Sequence, residues 1–231
     1  NLQVISNYFF YQSDIFFTGS GGTKAREEQE SQQQQQQKSL AVSSSDSGTA
    51  SSNTSKDTCE RGKRLHSQNH PERAARQLRQ CLQQSPGRSE ARLLLSRILE
   101  QRGKEAEAAS VLQKGFRHEP GRLDLKLRYA RIQISRGQNR AALRGLQMQD
   151  RPVLEEHISY YALLAAARRK MEQHDRAARI YRALADQQPD QGRWWMGLGL
   201  CLEAQGREAA AKSAYSRALE AKHLQQEIEA F

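Results

Sequence analysis

A recurrence of 34 residues constrains this chain more than any other feature. Pro86 and Pro120 stand 34 residues apart, and Pro189 follows 69 beyond Pro120, two periods and one residue. Gly103, Gly137 and Gly206 repeat the same two intervals. Between these punctuation marks the chain is built of Ala, Leu, Arg, Gln and Glu, all good helix formers. A fixed period of this size signals one small unit stacked on copies of itself, because no single unit can bury its apolar face alone. The glycines fall in mid-unit, where a residue tolerant of positive φ ends a first helix, and the prolines close a second. The expected fold is therefore all-α, a solenoid of about five antiparallel helix pairs.

Counting from units that begin at Ser89, Ile158 and Gly192, small residues recur at positions 8 and 20: Ser96 with Ala108, Ala165 with Ala177, Gly199 with Ala211. Small side chains there let the two helices of a unit cross closely. Large ones at positions 7, 11 and 24 fill the space beside the crossing, as Leu95, Leu99 and Leu112 or Leu198, Leu202 and Tyr215. Arg168 departs from this rule at position 11 and is open to two readings, a snorkelling guanidinium or a local misfit. With Trp195 at position 4 and Ala218 at position 27, the pattern resembles the tetratricopeptide repeat (TPR) family over about 170 residues. The resemblance implies units at about 55–88, 89–122, 123–157, 158–191 and 192–225. The unit 123–157 is degenerate, with Lys126 and Gln133 at signature places and one extra residue near Arg151-Pro152. The first unit opens in a polar stretch, so its first helix is expected to be short or frayed. Leu224, Ile228 and Phe231 form a helical apolar stripe, read as a capping helix over the end of the array.

Residues 1–58 are different in kind. Gln32 to Gln37 is a run of glutamine, Ser43 to Ser55 is rich in Ser and Thr, and the aromatics near the start are interrupted by Asn7, Gln12, Ser13 and Asp14. Such a segment cannot bury enough apolar surface to offset its ordering entropy and is read as a disordered linker. The array from 59 to 231 then carries 32 Lys+Arg against 20 Asp+Glu. That excess favours an acidic partner, while no apolar run approaches the roughly 20 residues of a membrane-spanning helix.

The residues that carry chemistry elsewhere are sparse here. Cys59, Cys81 and Cys201 form neither a dense disulfide framework nor a paired zinc-ligand spacing, and they leave the redox compartment open. Cys81 and Cys201 are read as small buried packing residues. His66 and His70 have ligand spacing on a helix, but Pro71 follows and no second cluster completes a site, so they are read as a solvated pair. No phosphate-binding, zinc or nucleophile motif occurs. No enzyme, cofactor or metal site is expected.

By the TPR resemblance, the first helices of successive units line a groove through positions 2, 5, 9, 12 and 13. Mapped onto this chain, its principal residues are Leu93, Arg97, Leu127, Arg131, Arg169, Arg193, Met196 and Leu200. A basic stripe between apolar patches suits a protein or peptide segment with acidic and apolar side chains. The alternative is a solvated coat of arginine with no site in it. Trp194, at position 3, is read as a partly exposed lid or as a contact for a partner. The string Arg193-Trp194-Trp195-Met196-Gly197-Leu198-Gly199 resembles the MSHA-type (MshN) pilus biogenesis proteins. That likeness implies a non-catalytic scaffold in pilus or secretion-apparatus assembly on the periplasmic face of a bacterial inner membrane, a cytoplasmic site being the alternative. A separate class is a basic helical repeat that binds nucleic acid, which the interspersed carboxylates and scarce exposed aromatics disfavour.

Overall fold

The computed structural model describes residues 52–147 and 152–221, with side chains from residue 57 onward. The expected N-terminal linker and the capping stripe from Leu224 to Phe231 lie outside the described residues. The chain divides into units of residues 1–54 and 55–231, and the helical array occupies the second. Among the described residues there are ten helices and no strand. They are α1 (Ser52–Ser67), α2 (Pro71–Gln84), α3 (Ser89–Gln101), α4 (Glu105–His118), α5 (Leu123–Ser135), α6 (Asn139–Gly145), α7 (Ile158–Lys170), α8 (His174–Gln187), α9 (Gly192–Ala204) and α10 (Glu208–Glu220). From α3 onward each helix packs on the one before it and the one after it, and the first helices α3, α5 and α7 also touch in sequence. The first helix of the array is not short: α1 runs for 16 residues.

One left-handed residue ends the first helix of every pair. Gly103, Gly137 and Gly206 have φ of 70° to 71°, and Asn69 and Glu172 take the same place with φ of 59° and 58°. In each, the next amide reaches back over the helix end, as Lys104 N–H to the Leu99 carbonyl (2.8 Å) and Gln173 N–H to the Arg168 carbonyl (2.9 Å). This is the Schellman arrangement, which prefers glycine because a Cβ crowds the left-handed backbone. Glu172→Gly is accordingly expected to stabilise the protein by about 1 kcal/mol. A urea midpoint equal to or below that of the parent would contradict it.

The close crossings are where the repeat pattern places them. Ala108, Ala142 and Ala177 are fully buried opposite Ser96, Ala130 and Ala165, which are also at 0% exposure. In α9 two glycines do the same work for tyrosine rings. A Cβ on Gly199 would lie 2.3 Å from Tyr215 Cε1, and one on Gly197 would lie 2.5 Å from Tyr181 Cε1.

Position 4 holds a device that the apolar pattern conceals. Trp195 Nε1–H donates to the Pro189 carbonyl at 2.9 Å, and Arg92 donates to the Pro86 carbonyl from Nε (3.1 Å) and Nη2 (2.7 Å). Tyr161 reaches the Pro152 carbonyl at 2.7 Å. Lys126, 7% exposed, instead donates Nζ to the Gln147 carbonyl at 2.9 Å. Four unlike residues thus share one requirement, a long side chain with a terminal donor that satisfies a carbonyl at the joint between units. Burial pulls the pKa values of Arg92 and Lys126 down, so their hydrogen bonds are what keep these cations tolerable inside.

Two further departures from expectation matter for function. Cys81 is not a free packing thiol: it is bonded to Cys59, with a Cα–Cα distance of 5.1 Å, joining α1 to α2. Antiparallel helices crossing tightly at Gly62, where a Cβ would meet Leu78 at 2.9 Å, bring the two sulfurs together across 22 residues of sequence. Cys201 remains free and buried, as expected. The second departure is α6, which has 7 residues where α4 and α8 have 14. Gly145 weakens the helix at its end but admits the Tyr129 ring 2.5 Å from where a Cβ would stand.

Candidate protein-binding groove

Positions 5 and 9 of α3 and α5 place Leu93 and Leu127 one helical turn before Arg97 and Arg131. Both leucines are half-buried and both arginines exposed. Between the two helices lies an ion pair, Arg128 with Glu100, each side chain about a quarter exposed at 23% and 26%. Burial pushes the Glu100 carboxyl up despite the pull of Arg128 and Arg131, and it draws Arg128 down, reinforced by the like charges of Arg97 and Arg131. Arg128 and Arg131 thus act on the Glu100 carboxylate, with Glu105 a second acid near it, and Arg97 lies near Arg128. Arg97 and Arg131 hold no ion pair among the described residues, which leaves two cations beside two apolar side chains on one continuous face.

The C-terminal half of the expected groove is used differently. The Arg169 guanidinium lies near the phenol of Tyr181 and near Cys201, whose ionised forms its charge favours. Arg193 stacks over the Trp194 ring with its Cζ 4.4 Å from the centroid. Leu200 is half-buried, but Met196 is 3% and Trp194 5% exposed. The expectation of Trp194 as a partly exposed lid, and of Met196 as groove surface, is thus corrected. Trp194 is held in by its own indole N–H, which donates to the Gln188 side-chain oxygen at 3.1 Å. The spacing is the signal that could have shown it: Gln188 precedes Trp194 by 6 residues, as Pro189 precedes Trp195 and Pro86 precedes Arg92. Both tryptophans are therefore engaged at the same joint between units.

Of the expected groove residues, Leu93, Arg97, Leu127 and Arg131 are brought together at the α3–α5 junction. Arg193 stacks on Trp194, and Arg169 lies near Tyr181. Nothing in this face supplies a nucleophile paired with a base, and among the described residues no three His, Cys, Asp or Glu side chains converge as a metal site. Among the described residues no helix is long and apolar enough to cross a membrane. What the face offers is hydrogen-bond donors with positive charge next to apolar contact area.

Family models of the tetratricopeptide repeat match residues 65–116 and 101–167, and a second such model matches residues 163–223. The chain belongs to the tetratricopeptide repeat family. No curated protein matches it. Among solved structures, this TPR array is similar to the crystal structure of MamA protein, at 20% identity and a TM-score of 0.65, over 75% of this chain and 94% of that one. A MamA spanning residue 41 to the end, from Desulfovibrio magneticus RS-1, has 19% identity and a TM-score of 0.62, covering 77% of this chain and 98% of that one. YrrB, described as a TPR protein with an unusual peptide-binding site, has 15% identity and a TM-score of 0.64 over 79% and 99%. At these identities the likeness speaks to the TPR fold.

Proposed function

We propose that this TPR array is a non-catalytic scaffold that holds an acidic, partly apolar peptide segment of a protein partner across α3 and α5. The observation that carries the reading is the pair Arg97 and Arg131, exposed and in no ion pair among the described residues, each one turn from a half-buried leucine. An extended partner strand could set carboxylates on the two guanidinium groups and apolar side chains on Leu93 and Leu127. Glu100 keeps Arg128 engaged and limits the net charge, which favours a ligand with spaced acids over a uniform polyanion. The peptide-binding site of YrrB accords with a peptide as the ligand class.

Two features support a setting in pilus or secretion-apparatus assembly in the bacterial envelope: the Arg-Trp-Trp string ending in Gly-Leu-Gly, and the disulfide. Disulfides persist in oxidising compartments such as the periplasm and are rare in the cytosol. The Cys59–Cys81 bond therefore favours the periplasmic reading over the cytoplasmic one.

The test is a charge reversal. Acidic-apolar peptides held extended by proline, read by fluorescence anisotropy, are expected to lose about tenfold or more in affinity on Arg97→Glu with Arg131→Glu, with the helical circular dichroism unchanged. Undiminished binding would remove the α3–α5 assignment. Binding to single-stranded nucleic acid, with affinity falling steeply as salt rises, would favour the polyanion alternative instead.

A further inference from the structure

Positions 7 and 11 of a first helix are core in three of the array's units. Leu95 and Leu99 in α3 are at 0% exposure, Leu198 and Leu202 in α9 at 2%, and Tyr129 and Gln133 in α5 at 5% and 8%. In α7 the same positions, Leu164 and Arg168, are only half-buried. The second helix of the preceding pair, α6, has 7 residues where α4 and α8 have 14. Beside Leu164 and Arg168 lies a cleft of about 770 Å³ bounded by α6, α7 and α8.

Leu143, Leu164 and Ile180 form an apolar, half-buried floor, and Arg168, Arg176 and Arg179 supply the charge, with no carboxylate among the described lining residues; Glu172 and Asp175 lie on the far side of Arg176 and Arg179. Tyr160 and Tyr161 turn ring surface into the cleft while their hydroxyls donate to the Leu146 (3.1 Å) and Pro152 (2.7 Å) carbonyls. The two rings therefore offer apolar area, their hydroxyls being engaged. Arg176 and Arg179 are exposed along the α8 rim. Arg168, the residue that broke the repeat rule at position 11, donates Nη1 to the Gln173 side chain at 2.9 Å and stands in the wall of the cleft. A cation at this place is costly in a sealed core and suited to a position that a ligand covers.

We propose that the cleft is a second docking site, separate from the α3–α5 face, and that it takes about two turns of an acidic amphipathic helix from a partner protein. Apolar residues of that helix cover Leu143, Leu164 and Ile180. Glutamates or aspartates on its flank meet Arg176 and Arg179. Charge complementarity selects the acidic helix over a basic one, and the apolar floor selects it over a phosphate backbone.

The experiment uses the full chain and a hydrocarbon-stapled helical peptide of about ten residues, with leucines at i, i+4 and i+7 and glutamates alongside, followed by fluorescence anisotropy. Arg176→Glu with Arg179→Glu should weaken binding by about tenfold or more, Arg97→Glu with Arg131→Glu should leave it unchanged, and the same peptide with lysine for glutamate should not bind. Loss on reversing Arg97 and Arg131 but not Arg176 and Arg179 would overturn the cleft and assign the helix to the first site. Full displacement of the peptide by a short single-stranded oligonucleotide would overturn it in favour of charge alone. A dimer in sedimentation that Arg176→Glu with Arg179→Glu dissolves would replace the partner by a second copy of the chain. If the reversal lowers the thermal transition, Arg176→Gln with Arg179→Gln carries the same expectation.

Discussion

Gly199→Leu is expected to unfold the last helix pair while the earlier pairs hold. A Cβ at this place would sit 2.3 Å and 2.5 Å from two carbons of the Tyr215 ring. The ring cannot step aside at low cost, because Tyr215 is 7% exposed and its hydroxyl donates to the Glu203 carboxylate at 2.6 Å. Alanine alone would set about 1–3 kcal/mol of overpacking against about 1 kcal/mol gained in helix propensity. Leucine adds three more carbons to the same contact and should cost several kcal/mol. Stability in a stacked repeat is close to a sum over units and their interfaces, so the damage stays near α9 and α10. The measurement is urea unfolding followed both by circular dichroism and by tryptophan fluorescence. Both tryptophans of the chain, Trp194 and Trp195, are on α9, so fluorescence reports that end alone. Its transition should move to lower urea than the helical signal, and coincident, unshifted transitions would contradict the close crossing of α9 and α10. Gly197→Leu should act similarly through Tyr181, whose ring would lie 2.5 Å from the new Cβ.

Removal of the disulfide is expected to destabilise the opposite end. Releasing a cross-link that spans 22 residues restores loop freedom to the unfolded chain worth about 3 kcal/mol on the chain-entropy account. The loss falls on α1 and α2, which begin the described array and have no earlier pair in it to lean on. Cys59→Ser with Cys81→Ser should therefore lower the urea midpoint of the helical signal while leaving the tryptophan transition almost in place. Thiol labelling gives a second readout: the folded oxidised protein should accept no maleimide. Cys201 is buried, and that burial pushes its thiol up to about 11. After reduction Cys59 and Cys81 remain buried, at 5% and 0% exposure, so they should label only as the first pair opens, at lower urea than Cys201. Equal midpoints for the oxidised protein and the double variant would show that the bond contributes nothing to the first pair.

The crossings and joints were legible because they rest on local rules. Small residues at positions 8 and 20 and a left-handed residue after each first helix depend on contacts within some 34 residues, and sequence carries these directly. Glu172 and Asn69 show the limit of reading glycines alone: the left-handed site is set by the joint, and a non-glycine can be held there. The site was less legible. Trp194 looked free because position 3 has no packing role in the repeat pattern, yet its partner Gln188 lies just before the helix and becomes visible only once the joint is built. Arg128 and Glu100 pair across adjacent first helices, 28 residues apart, which separates the engaged cations from Arg97 and Arg131.

The amino-acid sequence alone determined that the protein is a stack of helix pairs with a 34-residue period, where each pair turns and crosses, and that its charge excess lies in the array. Those properties follow from backbone preference and side-chain size at short range. The tertiary structure decided which cysteines pair, which arginines remain available, that both tryptophans are buried, and that a cleft lies between α6, α7 and α8. Each of these depends on which surfaces meet across units, and in a stacked array that is set by the length and closeness of neighbouring helices rather than by any one unit's own pattern.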